Sequence, residues 1–184
     1  SVVRGLFCTE SETILMSSSL FVIPNGLNAR EKQLVRMLER EYTIDIARNV
    51  LLPLLQQKGA VSLRVIDWAV VNWSRQHNVI ATSPTGERVN VHNSYRVALT
   101  HWRRRLFDPF RRRLRIGVRI DGEEYETTLG QANFVLFVYR TGVLAYVLSH
   151  SAAIEADMNM VAQRQKRKRR HARAVGIAQK RVPL

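Results

Sequence analysis

The chain has 184 residues, with 29 Lys and Arg against 15 Asp and Glu, giving a formal net charge of +14 and a pI of about 11.1. One domain is the expectation at this length, and 46% hydrophobic residues are enough to exclude wholesale disorder. The lone cysteine, Cys8, excludes an intramolecular disulfide, and no Cys/His set has zinc-ligand spacing.

No apolar stretch approaches the roughly 18 residues that cross a bilayer. The longest are 50–55, interrupted by Pro53, and 134–139. The first residues lack the apolar centre of a secretory signal. These features lead to the expectation of a soluble, non-secreted protein that does not insert into membranes. The charge is concentrated. Residues 103–119 carry eight Arg and one acid, Asp108, for a net of +7. Residues 161–184 carry nine Lys or Arg and no acid, for +9, and everything else sums to −2.

In chain order, residues 1–27 read as an N-terminal arm holding a short apolar piece, Leu20 to Ile23, before a Pro24-Asn25-Gly26 turn. Asn28 with Glu31 forms a capping box, in which each side chain satisfies a free backbone N–H of the first helical turn. Leu34, Val35 and Leu38 then follow at helical spacing, as do Ile46, Val50, Leu51, Leu54 and Leu55. This predicts two helices or one bent at Pro53, with Gly59 as the stop.

Ser62 is the next N-cap, opening a helix whose wide apolar stripe, Leu63, Val65, Ile66, Trp68, Ala69, Val70 and Trp73, calls for burial. Residues 83–86 are a loop. A further amphipathic helix from Asn90 carries Val91, Tyr95, Ala98, Leu99, Trp102 and Leu106, and is expected to end at the Asp108-Pro109 step.

After Pro109 the apolar period changes from 3.6 to 2: Leu114, Ile116, Val118 and Ile120 alternate with Arg113, Arg115, Gly117 and Arg119. Asp121-Gly122 signals a type I′ hairpin, because both central residues need positive φ. That register sets Ile120 opposite Glu123, Arg119 opposite Glu124, Val118 opposite Tyr125 and Arg115 opposite Thr128. Thr128 with Gln131 reads as a second capping box before a buried helix through 134–139, with Gly142 its breaker. A helix over 143–149 and another around Ile154, Met158 and Val161 lead to the tail. The fold class is therefore α+β: a mainly helical single domain, 28–160, with one hairpin at 112–128 and a flexible basic tail, 161–184.

Arg103, Arg104 and Arg105 at a helix end, with Arg111, Arg112, Arg113 and Arg115 leading into the hairpin, suit forked bonds to phosphate oxygens. The competing reading is a solvated face with local pairs, Arg119 on Glu124, and with cations favoured at a helix C-terminus by its dipole. In the tail, Arg164, Lys166, Arg167, Lys168, Arg169, Arg170 and Arg173 read as a nucleic-acid-binding arm or a nuclear localisation signal, kept extended by like-charge repulsion. Anionic lipid is a weaker fit, since no large apolar residue interleaves the run. Trp68, Trp73, Trp102, Phe134 and Phe137 fall on core faces and read as packing, not base-stacking platforms.

Catalytic signals are poor. Gly86-Glu87-Arg88 lacks the Lys-Ser/Thr of a phosphate loop, and the five histidines have no ligand spacing. Asp121, Glu124 and Glu126 could serve a metal-dependent nuclease, but on a hairpin they face arginines and read as pairing partners. The expectation is no catalytic residue, no metal and no cofactor.

Several strings resemble an uncharacterised protein family of nucleocytoplasmic large DNA viruses. These are Ser62-Leu63-Arg64 with Asp67-Trp68; His77-Asn78-Val79; Ser94-Tyr95; Phe107-Asp108-Pro109-Phe110 followed by Arg112-Arg113 and Arg115-Ile116; Thr127-Thr128 with Gly130-Gln131 and Asn133-Phe134; and Ile154-Glu155 with Asp157-Met158-Asn159. The specific ones are the Phe-Asp-Pro-Phe and Thr-Thr-x-Gly-Gln-x-Asn-Phe elements. The chain departs from that pattern with Arg111 in place of cysteine and Ala132 in place of leucine. The resemblance implies a viral, non-secreted protein and places no activity on residues. The functional expectation is a non-enzymatic protein that binds the phosphate backbone of nucleic acid, DNA in preference to RNA, in genome packaging or organisation. It would reside in the virion and the host nucleus or cytoplasm, alongside other virion proteins. The alternative is a structural component of a large assembly, either a minor capsid or virion protein or a ribosomal-type protein.

Overall fold

The computed structural model describes residues 19–179, with side chains through residue 172. Cys8 and the first part of the expected arm lie outside the described residues, as does the side chain of Arg173.

The remainder of that arm is not free. Strand β1 (Phe21–Val22) adds antiparallel to β4 (Arg115–Ile120), which pairs in turn with β5 (Glu123–Thr128), giving the order β1-β4-β5. Phe21, 2% exposed, packs edge-on to Tyr42 with ring centroids 5.4 Å apart, so its burial ties the segment to the core. The β4–β5 register is the expected one at every position, from Ile120 opposite Glu123 to Arg115 opposite Thr128. The turn takes positive φ at both Asp121 (54°) and Gly122 (84°), as type I′ requires. Its apolar side, Ile116, Val118 and Ile120, is buried.

Helix α1 (Ala29–Glu41) starts on the complete Asn28/Glu31 capping box and buries Leu34, Val35 and Leu38. Helix α2 (44–55) is one helical stretch containing a wide π turn, Ala47–Leu51, directly before Pro53. Proline has no N–H to give, and its ring would strike the carbonyl four residues earlier; one extra residue in the turn eases that conflict. Gly59 is not the stop. The helix is capped at Gln56, and Gln57 takes the left-handed conformation with φ 56°.

Helix α3 (63–77) begins on the Ser62 cap and contains a second π turn, Ala69–Trp73, before ending on Asn78 at φ 45°. Its stripe is buried at Val65, Ile66, Ala69 and Val70, while Trp68 and Trp73 sit at the core's edge, part-buried. The loop after it belongs to an unexpected second hairpin, β2 (Ile80–Thr82) with β3 (Arg88–Asn90). Helix α4 (Val91–Trp102) is capped by Asn90 and stops earlier than the Asp108-Pro109 step. Arg103 adopts φ 61° and ψ 156°, and Arg104–Leu106 forms a separate 3-10 turn.

Helix α5 (Leu129–Arg140) is the centre of the domain, burying Leu129, Ala132, Phe134, Val135, Leu136 and Val138. Each of the large ones contributes about 1.5–3 kcal/mol of hydrophobic stabilisation. The expected second capping box is half formed. Thr128 accepts from the Gln131 backbone, but the Gln131 side chain accepts from the Thr127 hydroxyl instead of returning to the cap.

After Gly142, helix α6 (Val143–Gln179) is continuous. It replaces the two short helices and carries the basic segment onward as helix, where an extended tail was expected. Among the described residues no single helix is long and apolar enough to cross a membrane. Helices α5 and α6 pass such a test only jointly, across a 90° bend, and α5's apolar side chains fill this domain's own core.

Candidate nucleic-acid interface

The two elements that carried the family resemblance pack on each other. The Asn133 amide donates to the Leu106 carbonyl at 2.8 Å, and Phe107 meets Phe134 and Phe137 with ring centroids 5.7 and 5.3 Å away. Gly130 lies so close to Asp108 that a Cβ there would come within 2.9 Å of the Asp108 carbonyl oxygen. These residues are therefore the joint between the 3-10 turn and α5, and that joint fixes where the arginines around it emerge.

Around it, the sequence candidates divide by what they touch. Arg105 pairs with Glu31, a carboxylate only 5% exposed, and Arg115 pairs with Glu126 at 2.9 Å. Arg103, Arg104, Arg112 and Arg113 are exposed, and no ion pair is formed by any of them among the described residues. Arg111 is part-buried, with its Nε enclosed. The expected Arg119–Glu124 pair does not form. The two are opposite in register, but the Glu124 carboxylate lies over Gly117, in the space a Cβ would fill. Asp121 pairs with Arg48, which lowers the pKa of Asp121 by hydrogen bonding and charge. The three hairpin acids thus lie apart in function, and no metal-competent cluster of His, Cys, Asp or Glu occurs among the described residues.

The tail candidates lie on the outer part of α6. Val143, Val147 and Ile154 bury its first half, and Trp68 Nε1 donates to Asp157 Oδ2 at 2.8 Å, fastening the helix to α3 just before the basic run. Beyond Val161 every described residue through Ala172 is exposed. Arg164, Lys166, Arg167, Lys168, Arg169 and Arg170 all project from this helix, and none makes an ion pair among the described residues. The two basic groups have different anchors: the tail is held by α3, while the 103–115 arginines are held by α1, α5 and the hairpin.

Two features had no sequence signal. Asp67 on α3 has its pKa pushed up to about 6, chiefly by burial and further by nearby Asp108, with Arg104 opposing. Tyr95 is raised alongside it, chiefly by burial. A groove along α4 also brings Met37, Val97, His101, Trp102, Phe137 and Arg140 around about 550 Å³, with Val97 69% exposed.

The molecule is thus a mainly helical α+β domain with a basic helical extension. The chain belongs to DUF7197, a family of unknown function whose match covers residues 23–182. It is similar to "Uncharacterized protein L507" of Acanthamoeba polyphaga mimivirus, 26% identical over 159 residues, covering 81% of this chain and 61% of that protein. The chain therefore spans less than two thirds of that curated relative. No solved structure matches. The family is one of giant-virus proteins, as the sequence resemblance implied.

Proposed function

We propose that the protein acts by binding the phosphate backbone of nucleic acid, in the packaging or organisation of a viral DNA genome, and not by catalysis. The observation that carries this reading is the basic half of α6. Six cations within residues 164–170 stand exposed on the stretch of α6 beyond Asp157, which carries no acid, and none makes an ion pair among the described residues. Such a concentration of like charge is unfavourable until a polyanion neutralises it. Arg103, Arg104, Arg112 and Arg113 form the secondary contact surface, while Arg105 and Arg115 are already engaged by carboxylates.

The test compares the whole chain, the chain ending at Arg164, and an Arg103→Ala, Arg104→Ala, Arg112→Ala triple variant for binding to a mixed-sequence DNA duplex at 50 mM salt. The expected order of loss is tail removal first, the triple second. Absence of binding by the whole chain to either DNA or RNA overturns the reading.

A second reading, a structural component of a large assembly, is favoured by one observation, the exposure of Val97 (69%) and Phe110 (53%) beside apolar hollows. Concentration-dependent self-assembly without nucleic acid would support it over the first.

A further inference from the structure

The proposed binding function leaves open how the tail engages nucleic acid and whether it is built for a duplex or a single strand, and the form of α6 addresses that question. At 1.5 Å rise per residue, the six cations of residues 164–170 are spaced at one per about 1.5–1.8 Å of helix axis. Duplex DNA carries one phosphate per about 1.7 Å of its axis, twice the density of a single strand. The charge density of this helix therefore matches a duplex.

The arrangement around the axis points the same way. At 3.6 residues per turn, Lys166, Arg169 and Arg170 share one side with Ala162, and together they border one hollow. Arg164, Arg167, Lys168 and His171 occupy the opposite side. A helix resting on a flat surface uses one basic face and leaves the other repelling. A helix with cations on both faces is neutralised only between two walls of anions. The phosphate ridges flanking the major groove of B-form DNA supply two such walls, about 12 Å apart, around a helix about 10–12 Å across. The major groove of A-form RNA is deep and narrow and excludes a helix.

Resting on the binding function proposed above, we propose that residues 161–172 bind the major groove of B-form duplex DNA as a helix, with the two basic faces on opposite phosphate ridges. Because residues 162–172 lie beyond the Trp68–Asp157 fastening and are all exposed, this stretch of helix draws no stability from the core. DNA then supplies the charge neutralisation that holds it.

The test uses the whole chain and a Gln165→Pro variant, which keeps every cation but breaks the helix at an exposed position. Both are titrated with a DNA duplex, an RNA duplex and single-stranded DNA of equal length at 100 mM salt, with circular dichroism at 222 nm alongside. Expected are at least tenfold tighter binding of the whole chain to DNA duplex than to the other two, and at least tenfold loss on DNA duplex for Gln165→Pro. Its single-strand affinity should be unchanged, and helical signal should rise only for the whole chain on duplex DNA. Equal affinity for all three polymers, or an unaffected proline variant, overturns this proposal while leaving phosphate-backbone binding standing. Failure to bind any of the three overturns both.

Discussion

Arg105 reaches 74 residues back along the chain to Glu31, pairing with a carboxylate that is 5% exposed and whose other oxygen accepts the Asn28 backbone N–H at 2.9 Å. One side chain thus closes the cap of α1 and holds the 3-10 turn that follows α4. Glu31 is the first-turn acid that the helix dipole favours, but its burial makes a cation partner necessary.

Removing that partner strands a buried charge. Arg105→Ala should cost about 1–3 kcal/mol in urea unfolding, against less than about 0.5 kcal/mol for exposed Arg112→Ala. Equal effects would show that Arg105 does no more than any surface arginine.

Asp67 gives the fold a pH dependence of unusual sign. Its folded pKa is raised from 3.8 to about 6, so between those values the folded state retains a proton the unfolded chain has lost. Stability contributed by the neutral acid is complete below about pH 4, declines as pH rises to about 6, and is flat beyond. Asp67→Asn should remove this slope and be more stable than the parent at pH 7.5 by about 1–2 kcal/mol. Thermal unfolding at pH 4.5 and 7.5 would measure it; parallel pH profiles for the two proteins would contradict the assignment.

Gly142 joins α5 to α6 at φ 72°, and a Cβ there would lie 1.8 Å from the Thr82 carbonyl oxygen. Both the left-handed backbone and the contact with β2 forbid a side chain. Gly142→Ala should cost about 2–4 kcal/mol in chemical denaturation, whereas Gly86→Ala, with open space around its Cβ, should cost about 1 kcal/mol.

The Trp68–Asp157 hydrogen bond sets where the basic half of α6 leaves the domain. Asp157→Ala should lower stability by about 1 kcal/mol. It should also increase amide exchange from residue 150 onward while leaving α5 protected, which hydrogen exchange with mass detection resolves.

Much of this fold is written locally. The β4–β5 register follows from Asp121-Gly122 and a strict two-residue alternation, and the caps at Asn28, Ser62, Asn90 and Thr128 sit where their side chains must satisfy free N–H groups. The two π turns were illegible because one extra residue per turn barely alters the spacing of Val50 and Leu51 or Ala69 and Val70. Strands β2 and β3 have three residues each, too few to show an alternation. The separate helices expected over 143–149 and around Ile154 are one helix, α6, because no proline or glycine interrupts residues 143–175.

For the site, the charge runs were visible but their partners were not. Arg105 and Glu31 belong to elements with no sequence relation, and Glu124 leaves Arg119 because Gly117 offers it room. The clearest gain is in the tail, where the sequence suggested an extended arm and the structure presents a helix with two basic faces.

The central claim, that the protein binds the phosphate backbone, is tested most directly by the salt dependence of duplex DNA binding by the whole chain. Neutralising six to ten phosphates should weaken affinity by about 10³–10⁵-fold between 50 and 200 mM salt. Affinity that stays within a few-fold across that range would contradict it.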